Sequence, residues 1–307
     1  MQRTRVLTPL LIVCSLFFGA PLMAAAVPTV FVSILPQKYF VQQIGGDDFH
    51  VEVMVEPGAS PHTYEPKPSQ MRKLSDARAF FTIGVQLESV WLDKIRTINP
   101  DLEVIHTEAG IEKMKMVGHH QHEDAHDEHH EAEEEGHDDH HDAEGDGLDP
   151  HIWLSPELVK QQVKTIADSL ATLDPAGADR YRENYDRFAA RVDELDGQLE
   201  EMLKGKQEKR FMVFHPSWGY FAHSYGLEQI AVEVEGKSPK PTHLKELIDL
   251  AADLHISVIF AQPQFSQKSA DMIAREIGGE VILIDPLAED WFANMTQVAD
   301  SLTRALR

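Results

Sequence analysis

The 307-residue chain has a single cysteine, Cys14, and it lies within the first 26 residues. Once that segment is removed, the remainder has no disulfide and no thiolate ligand, so any metal site must be built from nitrogen and oxygen. Long hydrophobic runs are missing as well. The apolar stretch at residues 10–18 is too short to span a bilayer, and no later segment approaches that length. Basic residues are scarce, with 28 Lys and Arg against 51 Asp and Glu and a formal net charge of -23. That balance argues against nucleic acid or an anionic membrane surface as partner and suits attraction of cations. There is no glycine-rich phosphate loop and no nucleophile elbow; Ser217, in His215-Pro216-Ser217-Trp218, lacks the preceding glycine an elbow needs.

Basic residues vanish altogether between Gly118 and Asp149. This run holds nine histidines (His119, His120, His122, His126, His129, His130, His137, His140 and His141) and fourteen Asp or Glu. Such a composition cannot build a core, so the run is expected to be disordered when empty. Imidazole and carboxylate are ligands for borderline divalent cations, zinc above all. Within the run, His122-Glu123-Asp124-Ala125-His126 matches the H-E-x-x-H zinc-protease pattern. That pattern works only on a stable helix, and acidic, Gly-bounded flanks with no apolar stripe offer none. It is read as a chance match.

The N-terminus reads as an export signal, with Arg3 and Arg5, the short apolar stretch, and Ala24-Ala25-Ala26 as a cleavage site. The mature product is expected in a bacterial periplasm. A lipoprotein reading of Cys14 is weaker, because Val13 is bulky for that signal and the apolar run continues past the cysteine.

Strand-like segments at 30–34, 51–55, 79–83 and 104–106 alternate with helical ones, and the rhythm returns with strands at 211–214, 229–234, 258–261 and 281–284. Alternation of this kind predicts an α/β fold with mostly parallel sheets. Ser69 is a plausible N-cap for a helix reaching about residue 77, and Ser155-Pro156 a strong start for one reaching about 173. Tyr181, Tyr185, Phe188, Val192, Leu195, Leu199 and Met202 then form one apolar stripe, on a helix roughly 40 Å long. Its length suits a strut joining two lobes. The organisation expected is a first lobe over 27–175 with the His/acidic run inserted, a linking helix over 176–204 and a second lobe over 205–307.

Among the histidines outside the run, His62 lies in the loop PGASPHTYEP just after a strand, and His151 in DPHIWLSP just before a capped helix. His215 ends the strand FMVFH, and Asp285 ends VILID; a proline follows each. Ligands of open α/β sheets collect beyond the carboxyl ends of strands, which makes His215 and Asp285 candidate ligands, with loop hydrogen bonding as the alternative. His106 ends a strand and is a lesser rival, His223 is read as supporting or exposed, and His243 as an ordinary first-turn residue. Trp153, Trp218, Tyr220 and Trp291 are read as packing that keeps the neighbouring ligands dry.

At these four motifs, PGASPHTYEP, DPHIWLSP, FHPSWGYFA and LIDPLAEDW, the chain resembles the periplasmic zinc-binding proteins of ABC importers, the ZnuA type, within a wider metal-receptor group that also serves manganese. The resemblance covers nearly the whole mature chain. It implies two β/α lobes joined by a long rigid helix, with a metal in the cleft held by His62 and His151 from the first lobe and His215 and Asp285 from the second. Manganese receptors of this kind usually carry glutamate at the third position; three imidazoles and one carboxylate favour zinc. The chain departs from some zinc members in lacking a second-lobe disulfide and in having Pro61 where they have a glutamate. A water could replace Asp285. The expected job is capture of zinc and delivery to an ABC permease by a monomer that is not an enzyme. The His/acidic run would raise the local zinc concentration, and lobe motions would be small. The rivals are a periplasmic zinc buffer without a permease and a secreted zinc hydrolase.

Overall fold

The computed structural model describes residues 27–116, 147–233 and 239–306. The export signal and the histidines from His119 to His141, with the expectations placed on them, lie outside the described residues.

Two four-stranded sheets carry the molecule. The first contains β1 (Thr29–Val32), β2 (His50–Val53), β3 (Ala79–Thr82) and β4 (Glu103–His106), all parallel, in the order β2-β1-β3-β4. The second contains β5 (Arg210–Val213), β6 (Glu228–Ala231), β7 (Val258–Ala261) and β8 (Glu280–Leu283), again parallel, in the order β6-β5-β7-β8. The identical order is a repeat of shape without a repeat of sequence. Central β3 (AFFT) and β7 (VIFA) are buried at every position. Helices cover both faces of such sheets, so their strands read as continuous apolar runs and not as alternation.

Helices α1 (Leu35–Gly45), α2 (Pro68–Leu74) and α3 (Gln86–Ile98) return the chain in the first lobe; α6 (Gly219–Ser224), α7 (Pro241–Asp253) and α8 (Lys268–Glu276) do so in the second. Between and after them come α4 (Pro156–Leu173), α5 (Ala178–Leu203) and α9 (Trp291–Ala305). The start of α4 is as expected: Ser155 Oγ accepts from Leu158 N at 3.4 Å, with Pro156 at the first position. The start of α2 is not. The helix begins at Pro68, and the side chain of Gln70 accepts from Lys67 N at 2.9 Å, so Ser69 sits inside the first turn. Proline, with φ already helical, won the first position. Pro241 opens α7 in the same way, two residues ahead of His243.

The 26-residue α5 buries Tyr181, Phe188, Val192, Leu195, Leu199 and Leu203. It is embedded along its length, packing against α4 and α1 of the first lobe and α9 of the second. Phe188 meets Phe40 of α1 at 5.8 Å and Phe292 of α9 at 5.3 Å, both edge to face, and Trp291 meets Phe40 at 5.8 Å. One apolar core therefore runs from the first sheet through α4 and α5 into β5 and α9. A second core, with Met212, Leu247, Ile259 and Ile273, fills the outer face of the second sheet. Among the described residues, no helix is long and apolar enough to cross a membrane.

The chain enters and leaves the His/acidic run side by side. Lys115 and Leu148 form an antiparallel bridge, Met116 N donates to Gly147 O at 2.8 Å, and Asp149 N donates to Met114 O at 2.8 Å.

Candidate metal centre

His62 lies in a turn after β2, where its backbone N–H donates to Ser60 Oγ at 3.3 Å. His151 follows Asp149-Pro150, and one carboxylate oxygen fixes it twice: Asp149 Oδ1 accepts from His151 N at 2.9 Å and meets its Nδ1 at 2.7 Å. His215 sits two residues beyond β5, at the point where the order of the second sheet reverses. Gln262, one residue beyond neighbouring β7, clamps its backbone from both sides, accepting from His215 N at 3.0 Å and donating to His215 O at 2.8 Å. Glu233, two residues beyond neighbouring β6, meets His215 Nδ1 at 2.5 Å, and the Phe265 ring stacks on the imidazole at 4.7 Å.

These placements bring the three histidines together. Their ligating nitrogens all lie within 4.8 Å of one another. His215 Nε2 is 3.2 Å from His62 Nε2 and 3.3 Å from His151 Nε2. A carboxylate oxygen can only accept, so the protons of His151 and His215 belong on Nδ1, and each neutral ring presents a bare lone pair at Nε2. Two bare lone pairs then face each other across 3.3 Å. No hydrogen bond between neutral rings satisfies that contact; a cation between them does. Tetrahedral zinc with Zn–N of about 2.0–2.1 Å separates its nitrogens by roughly 3.3 Å, which these two edges match.

A proton is a poor candidate for that cation. Burial pushes the His62 pKa down to about 3, and the neighbouring His215 and His151 add to the shift. Burial likewise lowers His215, against the pull of the Glu233 carboxylate and with a further push from His151.

Asp285 is not one of this group. Two residues beyond β8, its Oδ1 accepts from Gln264 Nε2 at 2.6 Å and from Leu287 N at 2.9 Å. It lines a cavity of about 110 Å³ between the lobes, together with Val55, Glu56, Pro57 and Gly58 from the first and Leu287 and Glu289 from the second. His106 also stays apart, half-exposed and bonded to Thr82 and Glu108. His223 is exposed on α6 and His243 stands in the first turn of α7. The tryptophans do pack, and two also tie the lobes: Trp153 Nε1 donates to Pro286 O and Trp291 Nε1 to Trp153 O, each at 2.7 Å. Trp153 lies 5.1 Å from the His151 ring, and His151 and His215 are only 2% and 5% exposed.

Comparisons with known proteins identify the family. Residues 30–305 match the model of the ZnuA family, described as "Zinc-uptake complex component A periplasmic". The chain belongs to the ZnuA family. Its fold superposes on a crystal structure of ZnuA with a TM-score of 0.82 at 41% identity, covering 92% of this chain and 100% of that one. The high-affinity zinc uptake system protein ZnuA of Bacillus subtilis is 28% identical over 262 residues, 84% of this chain and 78% of that protein. The zinc-binding protein AdcA of Streptococcus pyogenes is 26% identical over 262 residues, and there the chain spans 50% of the relative's length. ZnuA proteins are solute receptors, and zinc is the metal of the family.

Reading the sequence missed Asp149, Glu233 and Gln262. Asp149 had a local signal, standing two residues before His151. Glu233 showed only as an acidic residue at the end of the apolar strand run QIAVEV, and Gln262 as a polar residue ending VIFAQ.

Proposed function

We propose that this protein captures zinc in the periplasm and delivers it to an ABC permease, the ion being held by His62, His151 and His215. What carries the reading is the pair of unprotonated Nε2 atoms facing each other at 3.3 Å, with a third imidazole at 3.2 Å from one of them. Asp285 is the candidate for the fourth place; its Oδ1 is engaged by Gln264 and Leu287, which leaves Oδ2 as the oxygen to offer. Zinc is cargo here and not a reagent. The carboxylates bonded to the histidines, Asp149 and Glu233, stand behind the rings on the Nδ1 side, where neither can act as base to a metal-bound water. That supports a receptor over a hydrolase. The division into a first lobe at 27–175, a linking helix at 176–204 and a second lobe at 205–307 fits the two sheets and α5. Export through residues 1–26, a monomeric state and a concentrating role for the His/acidic run complete the proposal.

The test is calorimetric titration of the mature protein with zinc, with and without residues 118–148. One tight site survives the deletion. His215→Ala loses that site, while His255→Ala, on an exposed turn, keeps it. Loss of all tight binding on deletion would overturn the assignment to the cleft. Asp285→Asn decides the fourth ligand: a loss of tenfold or more puts the carboxylate on the ion, and unchanged affinity gives the place to water.

A further inference from the structure

Three neutral imidazoles bring no charge to a dication. A shell of that kind also suits a soft monovalent ion such as cuprous copper, because imidazole serves several transition metals. Whether Asp285 or a water takes the fourth place, what stands behind the rings adds to the discrimination. Two carboxylates stand there, both almost fully buried: Asp149, 1% exposed, on His151 Nδ1, and Glu233, 4% exposed, on His215 Nδ1.

Glu233 differs from Asp149 in an instructive way. Its Oε1 meets the ring at 2.5 Å, but its Oε2 is buried, and among the described residues no donor reaches it. A buried carboxylate with an unanswered oxygen is costly unless positive charge lies close by. Among the described residues, no lysine or arginine makes an ion pair with it; its one ion-pairing contact is the His215 ring. Among the described residues, the charge placed to answer Glu233 is that of the ion His215 would hold on its far side. Coulomb energy scales with the charge of that ion, so a dication gains about twice what a monocation gains from the same carboxylate.

We propose that Glu233 is a specificity-determining residue of this site: through His215 it holds Nε2 bare toward the ion, and its buried charge, with that of Asp149, makes the trihistidine shell favour a divalent over a monovalent soft cation. The proposal rests on the three-histidine reading above. Gln262 and Phe265 hold the His215 backbone and ring face independently, so removing the charge need not displace the ligand.

The experiment measures zinc and silver affinities of the mature protein by competition with a chromophoric chelator, silver serving as a redox-stable monovalent probe. Glu233→Gln keeps an oxygen to accept from Nδ1 and removes the charge. The expected result is a zinc affinity lowered about 10–100-fold, a smaller loss for silver, and a zinc-to-silver ratio reduced severalfold. Glu233→Asp, which keeps the charge, preserves the ratio even where both affinities fall. Equal losses for both ions in Glu233→Gln would reduce the residue to a ring holder and overturn the proposal, as would unchanged zinc binding. If Glu233→Gln fails to fold, as judged by thermal unfolding of the metal-free protein, Asp149→Asn is read by the same ratio with the same two outcomes. Failure of the underlying reading shows separately, as a tight zinc site that survives His215→Ala in a protein with Glu233 intact.

Discussion

His62 and Glu88 tie stability to pH in opposite directions. The His62 pKa falls from 6.5 to about 3 on burial, so between those values the unfolded chain binds a proton that the folded site refuses. Metal-free protein therefore loses stability as pH drops below 6.5, by up to about 1.4 kcal/mol per pH unit for each such proton. Chemical denaturation of the metal-free protein at several pH values checks this, and His62→Gln should flatten the slope. Glu88 runs the other way. Burial pushes its carboxyl up to about 7, although Ser33 Oγ, Ile83 N and Gly84 N all donate to it. Its folded-state proton contributes stability that is fully present below pH 4.5 and lost as pH rises through about 7. The stability of wild type relative to Glu88→Gln should fall over that window, and a constant difference would contradict the assignment. At this scale the sequence was partly legible. His62, His151 and His215 stood out because turn and strand-end motifs are local signals. Glu233 and Gln262 did not, because each acts from a neighbouring strand and adjacency in the sheet is not written in sequence separation.

At the scale of elements, strand order does the positioning. Glu233 and Gln262 follow β6 and β7, the two strands flanking β5, so both neighbours of the strand that ends at His215 contribute to holding it. Gln262→Ala removes both bonds to the His215 backbone and should weaken zinc binding about tenfold while the metal-free protein loses about 1–3 kcal/mol; calorimetry and denaturant unfolding read the two effects. Apolar runs placed every strand to within about three residues, the end of β6 being the furthest off, since buried parallel strands read as plain apolar runs. The sequence misled where two start signals competed, as at Ser69, because proline at the first helical position outweighs a serine one residue later.

Across the whole molecule, the length of α5 announced a connector, but its stripe alone could not say what it would touch. It is clasped by α1, α4 and α9, with Phe40, Phe188, Trp291 and Phe292 at the junction. Two tryptophan N–H bonds cross between the segments that carry His151 and Asp285. This junction favours small relative motion of the lobes on loading. Trp291→Ala, which empties part of the junction and deletes one crossing bond, should cost about 3–5 kcal/mol in unfolding experiments. It should also widen the difference in small-angle scattering between metal-free and zinc-loaded protein; an unchanged difference would show that rigidity resides elsewhere.

The paired hydrogen bonds joining 114–116 to 147–149 have an evolutionary consequence. They close the backbone circuit before the histidine tract begins, so the two anchors of the tract are fixed side by side whatever lies between them. Lengthening or shortening it changes mainly a closure entropy that grows only with the logarithm of loop size. Selection can therefore change how many imidazoles lie between the anchors with little consequence for the proposed site in the cleft.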